Sequence, residues 1–211
     1  ITAFLLVTVF FFSPLFFEKK VMVQHDIAQS IAGSKVLIDY RAQTGEEGLW
    51  ASTMFSGMPA YTVSIQWSNA AVRFIKSVMT LYLPHPVSNI FLAFICYYIM
   101  LLAFRIRPYL AIAGAFAFGL STFMIIGLGA GHNARIGATA LVPFVIAGIH
   151  LAFSGKRILG FGITAAALAL HLRENHPQVT YYMIFIVLGY GLMQLIVAVR
   201  EKKIIELAKT V

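Results

Sequence analysis

Charge is scarce in this chain: 16 Lys or Arg and 8 Asp or Glu make up 11% of 211 residues, against about 25% in an ordinary soluble domain. With 60% hydrophobic residues beside it, that shortage excludes a soluble globular domain. Cysteine is nearly absent. Cys96 stands alone within an apolar run, so no intrachain disulfide framework or multi-cysteine metal centre is available. The six histidines show no HExxH or comparable spacing, so no recognisable zinc site is written in the sequence. No glycine-rich turn ends in GK[ST], which excludes a P-loop. A basic stripe is lacking too. The net charge of +8 is spread singly or in pairs between apolar stretches, so no nucleic-acid partner is expected. The apolar stretches show no convincing internal repeat, which weakens an inverted-repeat transporter.

What the chain does have is long apolar runs, and each bilayer crossing takes roughly 20 residues. The pattern predicts an all-α fold, a polytopic transmembrane helix bundle of about six spans forming one domain over 1–211. The spans are expected at about 1–17, 86–104, 109–128, 136–153, 158–176 and 181–199, with one long polar loop at 18–85. The chain opens on Ile1 within apolar sequence and has no basic front, so its start reads as an incomplete membrane segment rather than a secretory signal. The fifth span has only 13 apolar residues, Ile158 to Leu170, and must draw HLRENHP toward the membrane boundary.

Orientation follows from Lys and Arg in the short loops. Arg105 and Arg107, Lys156 and Arg157, and four residues of the tail mark one face as cytoplasmic, whereas the alternate loops carry only Arg135 and Arg173. The 18–85 loop, GHNAR and HLRENHP then share the external face, with six of the eight acidic residues and five of the six histidines. Polar chemistry is gathered on one side.

Within the loop, VRFIKSVMTLYL puts Phe74, Ile75, Val78 and Tyr82 on one helical face, and 27–40 reads as a second, less amphipathic helix. Such helices lie on a membrane surface, or simply pack over the bundle. Asp26 follows the first span closely. It is placed either to deprotonate an acceptor hydroxyl or to cap the helix that begins at Ile27. GHNAR carries His132, Asn133 and Arg135 into a helix start, where backbone N–H groups and a fixed cation suit an anion; a flexible hairpin with a snorkelling Arg is the structural alternative. HLRENHPQ holds Arg173, Glu174, Asn175, His176 and Gln178 beside two apolar spans, so these residues need partners or a watery cavity.

DIAQ after the first span, LWASTMFSGMPAY in the loop, GHNARIGATALVPFVIAGI and ENHPQVTYYM together resemble the amino-terminal part of YfhO-like bacterial membrane proteins, especially those of Bacteroidetes. The resemblance spans most of the chain. It implies a GT-C-type fold and glycosyltransferase activity, with a sugar taken from a polyprenyl-phosphate carrier and transferred to a cell-envelope acceptor on the external face of the bacterial cytoplasmic membrane. It also implies that Asp26 is the acidic catalytic residue of the first external loop. Family members are longer, which implies a further carboxy-terminal part.

The roles of the other motifs are inferred from chemistry. Transfer needs a base near the acceptor and positive charge near the departing phosphate. Asp26 supplies the first and Arg135 or Arg173 the second, with His132, Asn133, Asn175, His176 and Gln178 as phosphate and sugar contacts. Glu174 positions Arg173 or binds a divalent cation; one nearby acid leaves a metal undecided. The alternative function is a non-enzymatic membrane subunit or transporter that binds lipid-linked glycan. A channel comes third, since it calls for polar residues along several spans and the second, third and sixth are largely apolar.

Overall fold

The computed structural model describes residues 1–64 and 69–204, and they are predominantly helical. The first apolar run forms α1 (Thr2–Phe11) and α2 (Ser13–Phe17). The long loop carries α3 (His25–Thr44), a two-residue antiparallel hairpin of β1 (Trp50–Ala51) and β2 (Met58–Pro59), and α4 (Ala70–Met79). The remaining helices are α5 (Ser88–Ala103), α6 (Pro108–Gly119), α7 (Thr122–Ala130), α8 (Asn133–Phe153), α9 (Arg157–Arg173) and α10 (Pro177–Arg200).

The expectation of about six spans is corrected. Among the described residues, only α8 and α10 are each long and apolar enough to cross a membrane, and α6 with α7 makes a third if that bent pair is one span. The other runs fall short in continuity or in length. The 1–17 run breaks at Phe12 because Pro14 has no N–H to give and its ring would strike the carbonyl four residues back. The 109–128 run bends by 41° at Leu120 and Ser121, where Ser121 is extended (ψ 149°). α5 is 16 residues long and α9 is 17. The 158–176 run stops at Arg173, and Glu174 to His176 form a tight turn in which Asn175 has φ 53°. α8 and α10 begin earlier than expected, at Asn133 and Pro177.

α5 is the centre of the core. From Ile90 to Phe94 its side chains are fully buried, packed with Phe4, Met124, Leu128, Ile136, Leu141 and Leu170. α8 lies close along α9 because both are small at the crossing. A methyl on Gly160 would meet the backbone of Ala152, and one on Gly148 would meet Thr164. Small residues four apart on facing helices permit this approach, as in membrane helix pairs.

The loop divides in two. α4 reaches the main core through Val72 and Met79, whereas α3 and the hairpin have a small core of their own in Leu37, Ala51 and Ala60. α3 packs on β1 more than on any bundle helix. Gly45, at φ 75°, ends α3 in the left-handed conformation that glycine accepts without strain.

Candidate functional site

α3 begins two residues before Ile27, so Gln24 takes the cap position and Asp26 falls inside the first turn. The capping alternative for Asp26 is thereby corrected. Gln24 is anchored instead to the bundle: its Nε2 donates to the Leu128 carbonyl at 2.6 Å and to Asn133 Oδ1 at 3.0 Å, while Asn133 Nδ2 donates back to Gln24 Oε1 at 3.1 Å. Asn133 is held from the other side by buried Asn89, whose Nδ2 donates to its carbonyl at 3.2 Å. This amide chain joins the start of α3, the start of α8 and the core helix α5. Gly131, at φ 108°, turns the chain from α7 into α8 and leaves space for Gln24 and Ile27.

Held this way, Asp26 faces His132. The Asp26 Oδ2 and His132 Nε2 are 3.3 Å apart, both side chains about half exposed. They open on a polar cavity of about 550 Å³ bordered also by Ser30, the 61–64 segment, Asn133, Arg135, Glu174, Asn175 and His176. The cavity lies where the loop, the α7–α8 turn and the α9–α10 turn meet. Asn175 Nδ2 donates to the Tyr61 carbonyl at 2.8 Å and ties the last turn to the loop.

Glu174 is not Arg173's partner. Its Oε1 lies 2.6 Å from Lys76 Nζ of α4, and the two side chains are 9% and 16% exposed. Gly137 of α8 makes room for the carboxylate, since a methyl there would collide with it. Arg173 borders neither this polar cavity nor the apolar one beyond Arg135, and its Nε is buried without a hydrogen-bond partner among the described residues. The expectation that Glu174 positions Arg173 is therefore corrected: Glu174 pairs with Lys76, and of the two arginines only Arg135 borders the polar cavity.

Arg135 reaches over the Phe123 ring, 5.0 Å from its centroid, and its Nε likewise has no hydrogen-bond partner among the described residues. On its far side is a second cavity of about 530 Å³, nearly all apolar, between Tyr97, Phe118, Phe123, Val142, Tyr182 and Ile186. Arg135 and His176 border both spaces. Gln178 belongs to the apolar one and donates to the Tyr182 hydroxyl at 3.1 Å. His176, in the turn between α9 and α10, has its pKa lowered by burial and by Arg135, His132 and His171, against a raising backbone hydrogen bond, so its neutral form is favoured.

The sequence marked Asp26, His132, Asn133, Arg135, Glu174, Asn175 and His176, and these border the polar cavity. It did not mark Gln24, Lys76, Tyr61 or Gly137, which position them. Gln24 stood beside Asp26 in DIAQ's approach, but Lys76 looked like any cation on the polar side of an amphipathic helix. Among the described residues, no three His, Cys, Asp or Glu side chains are grouped to hold a metal ion. Comparison with family models, curated proteins and solved structures finds no match.

Proposed function

We propose that this chain forms the donor site of a GT-C-type membrane glycosyltransferase that moves a sugar from polyprenyl phosphate to an external cell-envelope acceptor. The observation that carries this reading is the junction at Arg135. A polar cavity holding a carboxylate and an apolar cavity meet there, and a lipid phosphate linked to a sugar has the same two-part chemistry. The isoprenoid tail takes the apolar space, the phosphate pairs with Arg135, and the sugar lies toward Asp26 and Asn175.

In the reaction, the acceptor oxygen forms a bond to the anomeric carbon as the bond from that carbon to the phosphate oxygen breaks. Asp26 accepts the acceptor's proton, and Arg135 stabilises the charge gathering on the departing phosphate. His132, next to Asp26, orients its carboxylate. The membrane is the bacterial cytoplasmic membrane and the polar cavity opens to its external side, which the single Lys or Arg of each short loop beside it, Arg135 and Arg173, supports.

The test is native mass spectrometry of the purified full chain, followed by transfer assays with the polyprenyl-phosphate sugar that it retains. Asp26→Asn is expected to keep the lipid and lose transfer, and Arg135→Leu to lose the lipid. Unchanged transfer in Asp26→Asn overturns the catalytic role. A second reading, binding of lipid-linked glycan without transfer, is favoured by the engagement of both cavity carboxylates, Asp26 by His132 and Glu174 by Lys76. It predicts lipid retention with no transfer even in the unaltered chain.

A further inference from the structure

The hairpin after α3 is anchored on one side and bare on the other. Thr53 Oγ1 donates to the Gly33 carbonyl at 2.7 Å, and Met54 fills the space that Gly33 leaves by having no side chain. Trp50 lies against Gly57, whose missing Cβ lets the indole close on the turn and whose φ of 116° suits glycine. What the anchoring leaves in solvent is aromatic: Phe55 is 85% exposed and Trp50 58%. Phe55 and Ser56 hold φ 50° and 62°, a left-handed conformation that is strained for a bulky residue. Phe55 gains no burial in return. β2 then leads from this turn to the polar cavity. The helical turn Ala60–Thr62 follows it, exposed Tyr61 borders the cavity, and Asn175 holds the Tyr61 carbonyl there. From Gly48 to Val72 the sequence has no charged residue, so the aromatic rings stand among small and hydroxyl side chains such as Ser52 and Ser56.

We infer that Phe55, Trp50 and Tyr61 bind the acceptor, a neutral glycan chain, by stacking its sugar rings and leading its end into the cavity beside Asp26. The acceptor role rests on the transfer reading; the binding does not. A pyranose ring has an apolar C–H face that covers an aromatic ring, while its hydroxyls stay in water or bond to neighbouring hydroxyls. An uncharged surface of rings and hydroxyls is the complement of that chemistry. A membrane surface calls for Lys or Arg beside the aromatics, and this segment has none. A protein partner calls for a contiguous apolar patch, whereas these rings are spaced along a hairpin. Continuity with the cavity supplies the direction: Tyr61 belongs both to the ring series and to the wall that Asp26 shares.

The experiment uses the full chain with Trp67→Phe, which leaves Trp50 as the one tryptophan, in phosphatidylcholine nanodiscs. Trp50 emission is followed during titration with maltoheptaose, laminarihexaose and chitohexaose, with glucose and N-acetylglucosamine as single-ring controls. At least one oligosaccharide is expected to shift the emission to the blue and saturate, and the single rings to leave it unchanged. Phe55→Ala is expected to weaken that binding about fivefold, and Phe55→Tyr to keep it. Both variants alter a side chain in solvent, so the fold is not at stake. No saturable shift with any of the three oligosaccharides overturns the proposal. Full binding in Phe55→Ala does so as well, and so do single sugars that match the chains. Emission already blue-shifted without sugar and quenched by brominated phosphatidylcholine also overturns it, by placing the hairpin in the membrane. Because emission reads binding and not turnover, a failure here leaves the transfer reading standing. Transfer that survives in Asp26→Asn overturns that reading and leaves the glycan binding standing.

Discussion

Lys76 Nζ lies 2.6 Å from Glu174 Oε1, a bond between residues 98 positions apart that joins the loop helix α4 to the turn after α9. Both side chains are largely withdrawn from water. Removing one partner alone strands the other charge, whereas removing both does not. Lys76→Met is expected to destabilise the protein by about 3 kcal/mol, and the double variant Lys76→Met with Glu174→Leu to recover most of that. Thermal unfolding in detergent checks it. A double variant as unstable as the single one would mean that the pair contributes through packing rather than charge.

Gly137 gives a second handle on the same bond, from the opposite side. Alanine there forces the Glu174 carboxylate away from its seat, so Gly137→Ala is expected to destabilise by about 1–3 kcal/mol. Combined with Glu174→Ala, most of that loss disappears, because the clash has no partner. Strict additivity in this cycle would place the damage elsewhere.

The two arginines now separate by position. Arg135 borders both the polar and the apolar cavity, and Arg173 borders neither. Arg135→Leu is expected to weaken retention of polyprenyl phosphate at least tenfold, Arg173→Leu by less than about threefold, a difference of roughly 1 kcal/mol or less for the latter. Lipid-binding measurements on the folded variants decide between them. Equal losses would return the phosphate site to the end of α9.

Acid is expected to remove stability through His85. Burial and Lys76 lower its pKa from the ordinary 6.5, with Glu174 opposing. The unfolded chain therefore takes the proton first as pH falls below about 6.5, and stability declines until the folded His85 is protonated as well. Melting curves from about pH 8 to about pH 5 should show a falling Tm that is flatter in His85→Gln. Identical slopes would assign the acid sensitivity to other groups.

What the sequence made legible was the helical, apolar character of the chain and the grouping of its polar motifs. Apolar runs announced helices, and Asp26, the GHNAR residues and Glu174 to His176 do border one cavity. Apolarity, however, says nothing about continuity. Pro14 and Ser121 interrupt runs that a hydropathy count reads as single spans. Pairing was illegible for a different reason. Glu174 sits beside Arg173 in the chain, and only the packing of α8, through the space at Gly137, turns it toward Lys76. The apolar cavity left no trace either, since its walls come from five helices whose residues look like ordinary core.

The close crossing of α8 and α9 sets a gauge. Arg135 stands near one end of α8 and Glu174 just past the end of α9, while Gly148 and Gly160 lock the two helices where their backbones touch. A helix pair in backbone contact cannot slide by fractions of a turn without lifting apart. The separation of the cationic wall from the acidic one is thus built in as a fixed length. Gly160→Leu, expected to lever the helices apart at a loss of about 1–3 kcal/mol, would change that length as well as the stability. Whatever is gripped between those walls is measured against the width of two glycines.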